Sequence, residues 1–311
     1  MKVLRIHRAP LGVSLQDSGR SGFLRYGVSE AGPMDWARHA MANQMLGKAH
    51  GETAIEVGPA GLCLILEAGK LQLSFAGPGF RISLGGEEMS GPRRFVLRAG
   101  APLEIVPRAG AMWAYIGFQG TLAVDRVLNS HAENRAGNIH ALRVEPDTRL
   151  PIHDDPTVDP GEQSYIDPYL GRESRPIGIM PASQYRDFTQ EMRERLVSQP
   201  LSIAPRFDRM AYPLQGVSLR CDRGHDILSD AVTLGAIQVP GDGRPFILMA
   251  DHQSTGGYPK IACVCRADLP RVAQMSPGHQ FLMQWITAEQ ALQQWDTLRK
   301  QVESLTALRG Y

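Results

Sequence analysis

The sequence contains little cysteine, no long apolar run and no excess of charge of one sign. Only 4 of its 311 residues are cysteine, a density far below that of folds held together by disulfide bonds. No stretch approaches the roughly 18 apolar residues that a membrane-spanning helix needs. The first residues of the chain lack the apolar segment of a secretory signal peptide. We therefore expect a cytoplasmic protein that contacts no membrane.

Charge is balanced, with 33 Lys and Arg residues against 32 Asp and Glu residues and a formal net charge of +1. Proteins that bind nucleic acid usually carry a basic patch and a high pI, so we expect no nucleic-acid partner. The hydrophobic share of 43% is that of an ordinary folded chain, and it excludes a disordered one.

Several motifs that would assign a reaction directly are missing. The chain has no G-x-x-x-x-G-K-[ST] phosphate-binding loop, no G-x-G-x-x-G helix entry and no G-x-S-x-G nucleophile elbow. Its 9 histidines include no H-E-x-x-H pair, so we expect no metal site. The chain alone therefore carries no recognisable ATP site and no self-contained hydrolase triad.

Glycine and proline are plentiful instead, with 32 and 22 residues, and they divide the chain into short apolar segments. Turn-forming residues recur about every ten residues, which is the pattern of a β-sandwich or β-barrel. The segments stand too close together for a helical crossover between each pair, so antiparallel sheets are favoured. We therefore predict an all-β fold with two β domains and a few peripheral helices.

The predicted strands are Leu62–Leu66, Lys70–Phe75, Phe95–Leu97, Leu103–Val106, Met112–Phe118, Val217–Arg220, Ala236–Val239, Phe246–Met249, Lys260–Cys265 and Phe281–Ile286. Helices are predicted over 33–46, from a capping box at Asp187 to Leu196, and over 287–304 behind a capping box at Thr287. Residues 125–176 are polar and without periodicity, so we place the domain connection there. The predicted domains are an N-terminal β domain over 1–175 and a C-terminal β domain over 176–311.

The densest group of reactive side chains follows the apolar strand Phe246–Met249. Its members are Asp251, Gln253, Ser254, Thr255, Gly256, Gly257, Tyr258 and Lys260. The glycines let backbone N–H groups approach a ligand, a carboxylate can accept a proton, and a phenol and an ammonium can stabilise an oxyanion. Asp251, Tyr258 and Lys260 are therefore candidate catalytic residues. Gln253, Thr255, Gly256 and Gly257 are candidate substrate-binding residues. The alternative is a plain turn whose Asp and Thr cap backbone amides.

Two other loops combine carboxylates with arginine. Gln16, Asp17 and Arg20 lie in the first, with Asp35 on the helix that follows, and Asp208 and Arg209 lie in the second. We predict that all six bind substrate and that the three loops share one cleft, where Arg20 or Arg209 pairs with a substrate carboxylate. The alternative is that each Asp–Arg pair only closes its own loop.

The same segments carry a family resemblance along nearly the whole chain. They are Gln16–Gly22, Gly27-Val28, Gly32-Pro33-Met34-Asp35, Asp208-Arg209-Met210, Gly235–Pro240, Asp251–Lys260, Ala267-Asp268-Leu269, Gln274 and Pro277-Gly278. In this order they resemble the biotin-dependent carboxyltransferase family, which includes allophanate hydrolase subunit 2, KipA and the C subunit of 5-oxoprolinase.

The resemblance implies cyclophilin-like barrels and a subunit of a multi-subunit amide-processing enzyme that is inactive alone. That enzyme would be an ATP-dependent 5-oxoprolinase, which opens 5-oxoproline to glutamate, or a biotin-dependent carboxyltransferase acting on urea-like amides. The implied partners are a KipI-like or allophanate hydrolase subunit 1-like protein, and a LamB/YcsF-like subunit. ATP or carboxybiotin would be bound through partner subunits. The alternative is a non-catalytic, KipA-like regulator that binds a KipI-like partner.

The sequence departs from the family pattern at two places. His131 stands where the family usually has arginine, and the segment that follows, Asn138-Ile139-His140-Ala141-Leu142, is shortened here. Phe207, Ala211 and Pro213 replace the usual Ser, Gly and Arg around Asp208-Arg209. Because two anchors for an anionic group are absent, the resemblance leaves open a different substrate, reduced activity or the regulatory alternative.

Overall fold

The computed structural model describes residues 1–10, 12–153, 155, 161–167 and 174–305. It divides into two compact units. The first takes its described residues from Met1–Arg20, Asp35–Leu170 and Arg299–Tyr311, and the second from Ser21–Met34 and Gly171–Leu298. The two units divide near residue 170, whereas the sequence predicted a domain boundary at residue 175. The segment 21–34, which the sequence placed in the first domain, is counted with the second unit.

Two antiparallel sheets make up the first unit. Their strands are β1 (Lys2–Arg8), β2 (Ser14–Gln16), β3 (Ala54–Val57), β4 (Leu62–Leu66), β5 (Lys70–Ala76), β6 (Phe80–Leu84), β7 (Glu87–Met89), β8 (Arg93–Arg98), β9 (Pro102–Pro107), β10 (Ala114–Phe118), β11 (Thr121–Leu122), β12 (Arg149–His153) and β13 (Gln163–Ser164). One sheet has the order β11-β12-β1-β4-β9-β6-β7 and the other the order β13-β8-β5-β10-β3-β2.

Side chains from both sheets of the first unit meet in one hydrophobic core. In β9 the fully buried Leu103 and Ile105 alternate with the partly exposed Glu104 and Val106, as expected for a strand with one face in the core. Burial of each such aliphatic side chain contributes about 1.5–3 kcal/mol. The alternation therefore fixes which face of each strand points inward.

The second unit is built on a single large sheet. Its strands are β14 (Ile177–Pro181), β15 (Leu201–Ile203), β16 (Ala211–Gln215), β17 (Asp230–Ala231), β18 (Ala236–Gln238), β19 (Phe246–Leu248), β20 (Thr255–Gly256), β21 (Lys260–Val264), β22 (Gln280–Phe281) and β23 (Met283–Trp285). Eight of them pair in the order β22-β15-β16-β19-β18-β21-β14-β23, while β17 pairs with β20.

The large sheet curls into a nearly closed barrel. The strands at its two ends, β22 and β23, are separated in the chain by Leu282 alone, so the two edges must come together. The Leu282 carbonyl also accepts a hydrogen bond from the Ile177 N–H at 2.7 Å. The prediction of an all-β fold with barrels and a few peripheral helices is confirmed.

Few helices accompany the strands. The α-helices in the described residues are α1 (Trp36–Gln44), α2 (Gln190–Ser198), α3 (Leu269–Ala273) and α4 (Ala288–Glu303), and two short 3-10 helices cover Leu24–Tyr26 and Tyr185–Asp187. The predicted capping box of α4 is confirmed. The Thr287 N–H donates to Gln290 Oε1 at 2.9 Å, and the Gln290 N–H donates to Thr287 Oγ1 at 3.2 Å.

Two predicted helix starts are wrong. Helix α1 begins at Trp36 rather than Pro33, because the Asp35 carboxylate accepts the Arg38 N–H at 3.0 Å and so forms the N-cap. Helix α2 is capped by Thr189, whose hydroxyl accepts the Met192 N–H at 3.2 Å, and not by Asp187. The cap is set by which side-chain oxygen reaches a free N–H, and several residue types near a helix start can do this.

The predicted strand Val217–Arg220 is also wrong, since this segment is irregular and the strand lies earlier, at β16. Val217 and Leu219 are both buried, which explains the alternating pattern. Proline has no N–H to donate and is uncommon in strand interiors, but the Pro213 carbonyl accepts the Ala204 N–H at 2.8 Å and the strand pairs on both sides.

His39 of α1 is a buried base that stays uncharged. Its Nε2 lies 3.1 Å from the Gln16 carbonyl oxygen, which can only accept, so Nε2 carries the proton. Its ring packs edge-on against Tyr115, with the centroids 5.6 Å apart. Burial lowers the pKa of His39 to about 4, which makes the charged form costly inside the first unit.

We predict that His39→Gln flattens the acid dependence of stability. Because the pKa of His39 is about 4 when folded and 6.5 when unfolded, the unfolded chain binds a proton first as pH falls. The stabilisation is complete above 6.5 and is lost toward 4, by about 3 kcal/mol. Urea unfolding from pH 7 to 4 should show this extra loss in the wild type and not in His39→Gln. The exposed His7→Gln should behave as wild type, and parallel curves for all three proteins would contradict the prediction.

Candidate functional site

Asp17 ties two loops of the first unit together. Its buried carboxylate accepts hydrogen bonds from the Gly19 N–H at 2.9 Å, the Ser130 hydroxyl at 2.5 Å and the His131 N–H at 2.7 Å. Asp17 therefore joins its own turn to the loop of Ser130, which lies 113 residues away in sequence.

The neighbours of Asp17 are anchored to the same loop. Arg20 is buried and donates to the Ala132 carbonyl, and Gln16 donates from Nε2 to the Glu133 carbonyl at 3.0 Å. The sequence placed these residues in one loop but contained no sign of the second loop. Their predicted contact with a substrate stays a prediction.

The Asp35 carboxylate accepts hydrogen bonds from Arg38 of its own helix. Besides the Arg38 N–H, its carboxylate accepts Arg38 Nη1 at 2.7 Å, while Arg38 Nε also reaches Asp167 at 3.0 Å. The Asp35 N–H donates to the Tyr115 hydroxyl, which in turn donates to Glu56 at 2.7 Å. Burial and the nearby Glu56 raise the pKa of Tyr115 well above its ordinary value, so the phenol stays protonated.

The unusual His131 is a structural link. Its Nε2 lies 2.8 Å from the Val124 carbonyl oxygen and must donate to it, so its Nδ1 accepts the Thr53 hydroxyl at 2.7 Å. Both ring nitrogens of the buried imidazole are therefore used inside the first unit. At the second place where the sequence departs from the family pattern, Phe207 packs edge-on against Tyr212, with the ring centroids 5.1 Å apart.

In the second unit, Arg209 and Asp251 form a buried bidentate ion pair. Arg209 Nε lies 3.0 Å from Asp251 Oδ2, and Arg209 Nη2 lies 2.9 Å from Asp251 Oδ1. The Asp251 N–H also donates to the Arg209 carbonyl at 2.8 Å, and Arg209 Nη2 donates to the Gly32 carbonyl at 2.7 Å. Two predicted site residues that lie 42 positions apart are thus brought together.

Asp208 has a different role from Arg209. Its exposed carboxylate accepts the N–H groups of Met210 at 2.8 Å and Ala211 at 3.1 Å. It therefore closes its own turn, as the structural alternative proposed, while Arg209 turns to Asp251.

Lys260 is held by a residue that the sequence analysis missed. The Lys260 ammonium is only 4% exposed and lies 2.7 Å from the carboxylate of Asp230, which is 48% exposed. This hydrogen bond holds the pKa of the Asp230 carboxyl below its ordinary value. Asp230 lies 30 residues from Lys260, in the two-residue strand β17, and no sequence signal pairs the two.

The loop between Asp251 and Lys260 is braced from behind. Strand β17, which contains Asp230, pairs with β20 at Thr255 and Gly256. Buried Gln238 donates from Nε2 to the Tyr258 carbonyl at 3.2 Å. A methyl group added to Gly256 would lie 2.5 Å from Gln238 Nε2, so a larger residue at this position would displace the Gln238 amide.

The side chains that reach solvent in this loop are Tyr258, Thr255 and Gln253. Tyr258 is 39% exposed and its ring packs edge-on against Phe246, so its phenol faces outward on a fixed support. Thr255 is exposed and Gln253 partly so. The loop thus combines solvent-facing hydrogen-bond donors with a buried ammonium.

The structure therefore joins Arg209, Asp251, Lys260 and Asp230 to the framework of the second unit. Gln16, Asp17, Arg20 and Asp35 belong to the first unit. The prediction that all three loops share one cleft stays a prediction.

Among the described residues, no three or more His, Cys, Asp and Glu side chains are grouped as a metal ion would require. None of the helices that the structure describes combines the length and the apolar character needed to cross a membrane.

Known proteins resemble this chain over most of its length. A sequence model of the carboxyltransferase domain, subdomain A and B, matches residues 26–285. The C subunit of 5-oxoprolinase from Haemophilus influenzae is 30% identical over 281 residues, which cover 89% of each protein. The urea amidolyase of Saccharomyces cerevisiae is 27% identical over 292 residues, which cover 85% of this chain and 16% of the amidolyase.

Solved structures share the fold. The crystal structure of TTHA0988 matches with a TM-score of 0.83 and 29% identity over 92% of this chain, which spans 56% of the length of TTHA0988. The urea carboxylase of Kluyveromyces lactis matches with a TM-score of 0.88 over 97% of this chain and 29% of its own. At 21% identity this second likeness concerns the fold alone.

We predict that Asp251→Asn destabilises the protein strongly. The substitution keeps the side-chain size but removes the negative charge of Asp251 from its buried ion pair with Arg209, and breaking a buried pair costs about 3–5 kcal/mol. Arg195→Gln is the matched control, because it breaks an exposed pair with Glu191 on α2 that contributes at most about 1 kcal/mol. Urea unfolding at neutral pH measures both, and equal losses in the two variants would contradict the prediction.

Proposed function

The chain belongs to the family of the carboxyltransferase domain, subdomain A and B, and on this basis we propose that it is a subunit of an ATP-dependent 5-oxoprolinase. This enzyme would add water across the cyclic amide of 5-oxoproline to give glutamate, while ATP is hydrolysed to ADP and phosphate. The observation that carries the proposal is the 30% identity to the C subunit of a 5-oxoprolinase over 89% of both chains.

Opening a cyclic amide places negative charge on the amide oxygen as water attacks the carbonyl carbon. Catalysis therefore needs fixed donors aimed at that oxygen. Lys260 supports this role because Asp230 holds its ammonium at 2.7 Å in a braced loop. The exposed Tyr258 phenol and the Gly256-Gly257 backbone would supply further donors, and Gln253 and Thr255 would orient the substrate.

Asp251 would act in this site as a positioning residue. Both of its carboxylate oxygens accept hydrogen bonds from Arg209, and its own N–H is bonded to the Arg209 carbonyl. The start of the loop is thus fixed at Asp251. A fixed start keeps Tyr258 and Lys260 in place at the other end.

Nucleotide would be held by partner subunits, because this sequence carries no phosphate-binding loop. We propose a KipI-like or allophanate hydrolase subunit 1-like chain as the main partner, and a LamB/YcsF-like chain as the second. The work of this chain would then be to bind the amide and stabilise the oxyanion.

A second candidate is carboxyl transfer from carboxybiotin to a urea-like amide. The 27% identity to a urea amidolyase over 85% of this chain favours it. The same Lys260 and Tyr258 would serve, since carboxyl transfer to an amide nitrogen also develops charge on an amide oxygen. The two candidates differ in the cofactor that turnover requires.

We predict that Lys260→Met lowers 5-oxoproline turnover by the reconstituted complex about 10²–10³-fold, the loss typical of an oxyanion donor. The substitution removes the charge and leaves the half-exposed Asp230 in water. Lys300→Met, on the exposed face of α4, is the control. Tyr258→Phe, with the exposed Tyr26→Phe as its control, tests the phenol in the same way.

Glutamate and ADP formation measure turnover, and gel filtration measures assembly with the partners. The purified chain alone should show no turnover. Turnover that requires carboxybiotin and urea, rather than ATP and 5-oxoproline, would favour the second candidate. Full turnover by Lys260→Met and Tyr258→Phe complexes would contradict a catalytic role and favour the regulatory alternative.

A further inference from the structure

The first unit contains a cavity of about 300 Å³ that the proposed function does not use. Its lining combines two guanidinium groups, two carboxylates and apolar side chains: Arg135, Arg143, Glu133, Glu145, Pro10 and Val144. All of these residues belong to the first unit, whereas the loop from Asp251 to Lys260 belongs to the second. The cavity is therefore lined by residues other than those of the loop from Asp251 to Lys260.

Glu133 supplies a buried negative charge to this cavity. The residue is only 1% exposed, and its Oε1 accepts Arg135 Nε at 3.0 Å. Its Oε2 is buried and accepts no hydrogen bond from the residues that the structure describes. A buried carboxylate oxygen without a donor is costly, so a ligand that brings a positively charged N–H donor would be stabilised here.

The two arginines supply donors for a carboxylate. Arg143 is 43% exposed and donates from Nη2 to Asn138 Oδ1 at 2.6 Å. Arg135 donates from Nη2 to the Val13 carbonyl at 2.7 Å in addition to its bond with Glu133. A guanidinium has five N–H donors, so both groups keep donors for a bidentate contact with a carboxylate.

Size and charge narrow the ligand class. A volume of about 300 Å³ lies at the lower limit of small-molecule sites, which span about 300–1,000 Å³, so the cavity suits a small ligand. Two arginines and two glutamates sum to no net charge. A ligand with one charge of each sign keeps that balance, whereas a simple anion or cation does not.

We propose that this cavity binds a free α-amino acid, with its carboxylate on Arg143 and Arg135 and its ammonium on the carboxylates of Glu133 and Glu145. Pro10 and Val144 would face the side chain of the ligand. The proposal does not depend on the reaction proposed above, because no residue of the Asp251–Lys260 loop takes part.

The test is isothermal titration calorimetry on the purified full chain. L-alanine and L-glutamate are the ligands, and propionate and ethylamine are the matched compounds that each lack one of the two charges. We expect an amino acid to bind at least about tenfold more tightly than either matched compound. Arg143→Gln should weaken this binding by about tenfold or more.

Arg81→Gln is the matched control, since Arg81 is 40% exposed and pairs with Glu88 at 2.6 Å on the same unit, away from the cavity lining. It should bind as the wild type does. Glu133→Gln should also weaken binding, and thermal melting of each variant checks that it is folded.

Three results would overturn the proposal. The first is no heat from either amino acid up to roughly 10 mM, where a millimolar Kd is detectable; the ion pairs would then only hold their loop. The second is equal binding of propionate and alanine, which would mean a plain anion site. The third is unchanged binding by folded Arg143→Gln.

Discussion

A charged group that leaves water must find an opposite charge or a set of hydrogen-bond partners, and the loops of both units are held by this requirement. Asp17 meets it with three donors from two loops, and Arg209 meets it with Asp251. Lys260 meets it with Asp230. Apart from Gly19, which is two residues from Asp17, each partner lies at least 30 residues away in sequence, so each pairing ties together segments that are distant in the chain.

This requirement separates the residues that support a site from those that can act in it. Asp251 and Arg209 form hydrogen bonds to each other and are buried, so in the proposed function they position the loop. Tyr258 reaches solvent on a fixed aromatic support. Lys260 shares features of the supporting residues and of the solvent-exposed ones, because its ammonium is buried while its partner Asp230 is half exposed.

The family relationship is consistent with this separation between residues that support a site and residues that can act in it. A protein without a nucleotide-binding motif can contribute an oxyanion site and leave activation of the reactant to a partner. The likeness to one subunit of a 5-oxoprolinase extends over most of both chains, whereas the urea amidolyase holds a similar region within a much longer protein.

Much of the fold could be predicted from the sequence because the signals are local. The bounds of β4 at Leu62 and Leu66 follow from its apolar run, and the capping box at Thr287 needs only Gln290, three residues on. Gly47 takes the left-handed conformation expected just past a helix end, with φ at 69°. The alternation of apolar residues and the spacing of turns were enough to indicate antiparallel sheets.

Only part of the candidate site could be predicted from such local signals. The sequence by itself identified the segment from Asp251 to Lys260 by its chemistry, and it named Asp208 and Arg209 as one pair. Only the tertiary structure decided that Arg209 turns to Asp251, 42 residues away, and that Asp230 holds Lys260. The reason is physical: turns and caps form between neighbours in the chain, whereas the partner of a buried charge is whichever opposite group the packed strands bring within about 3 Å of it.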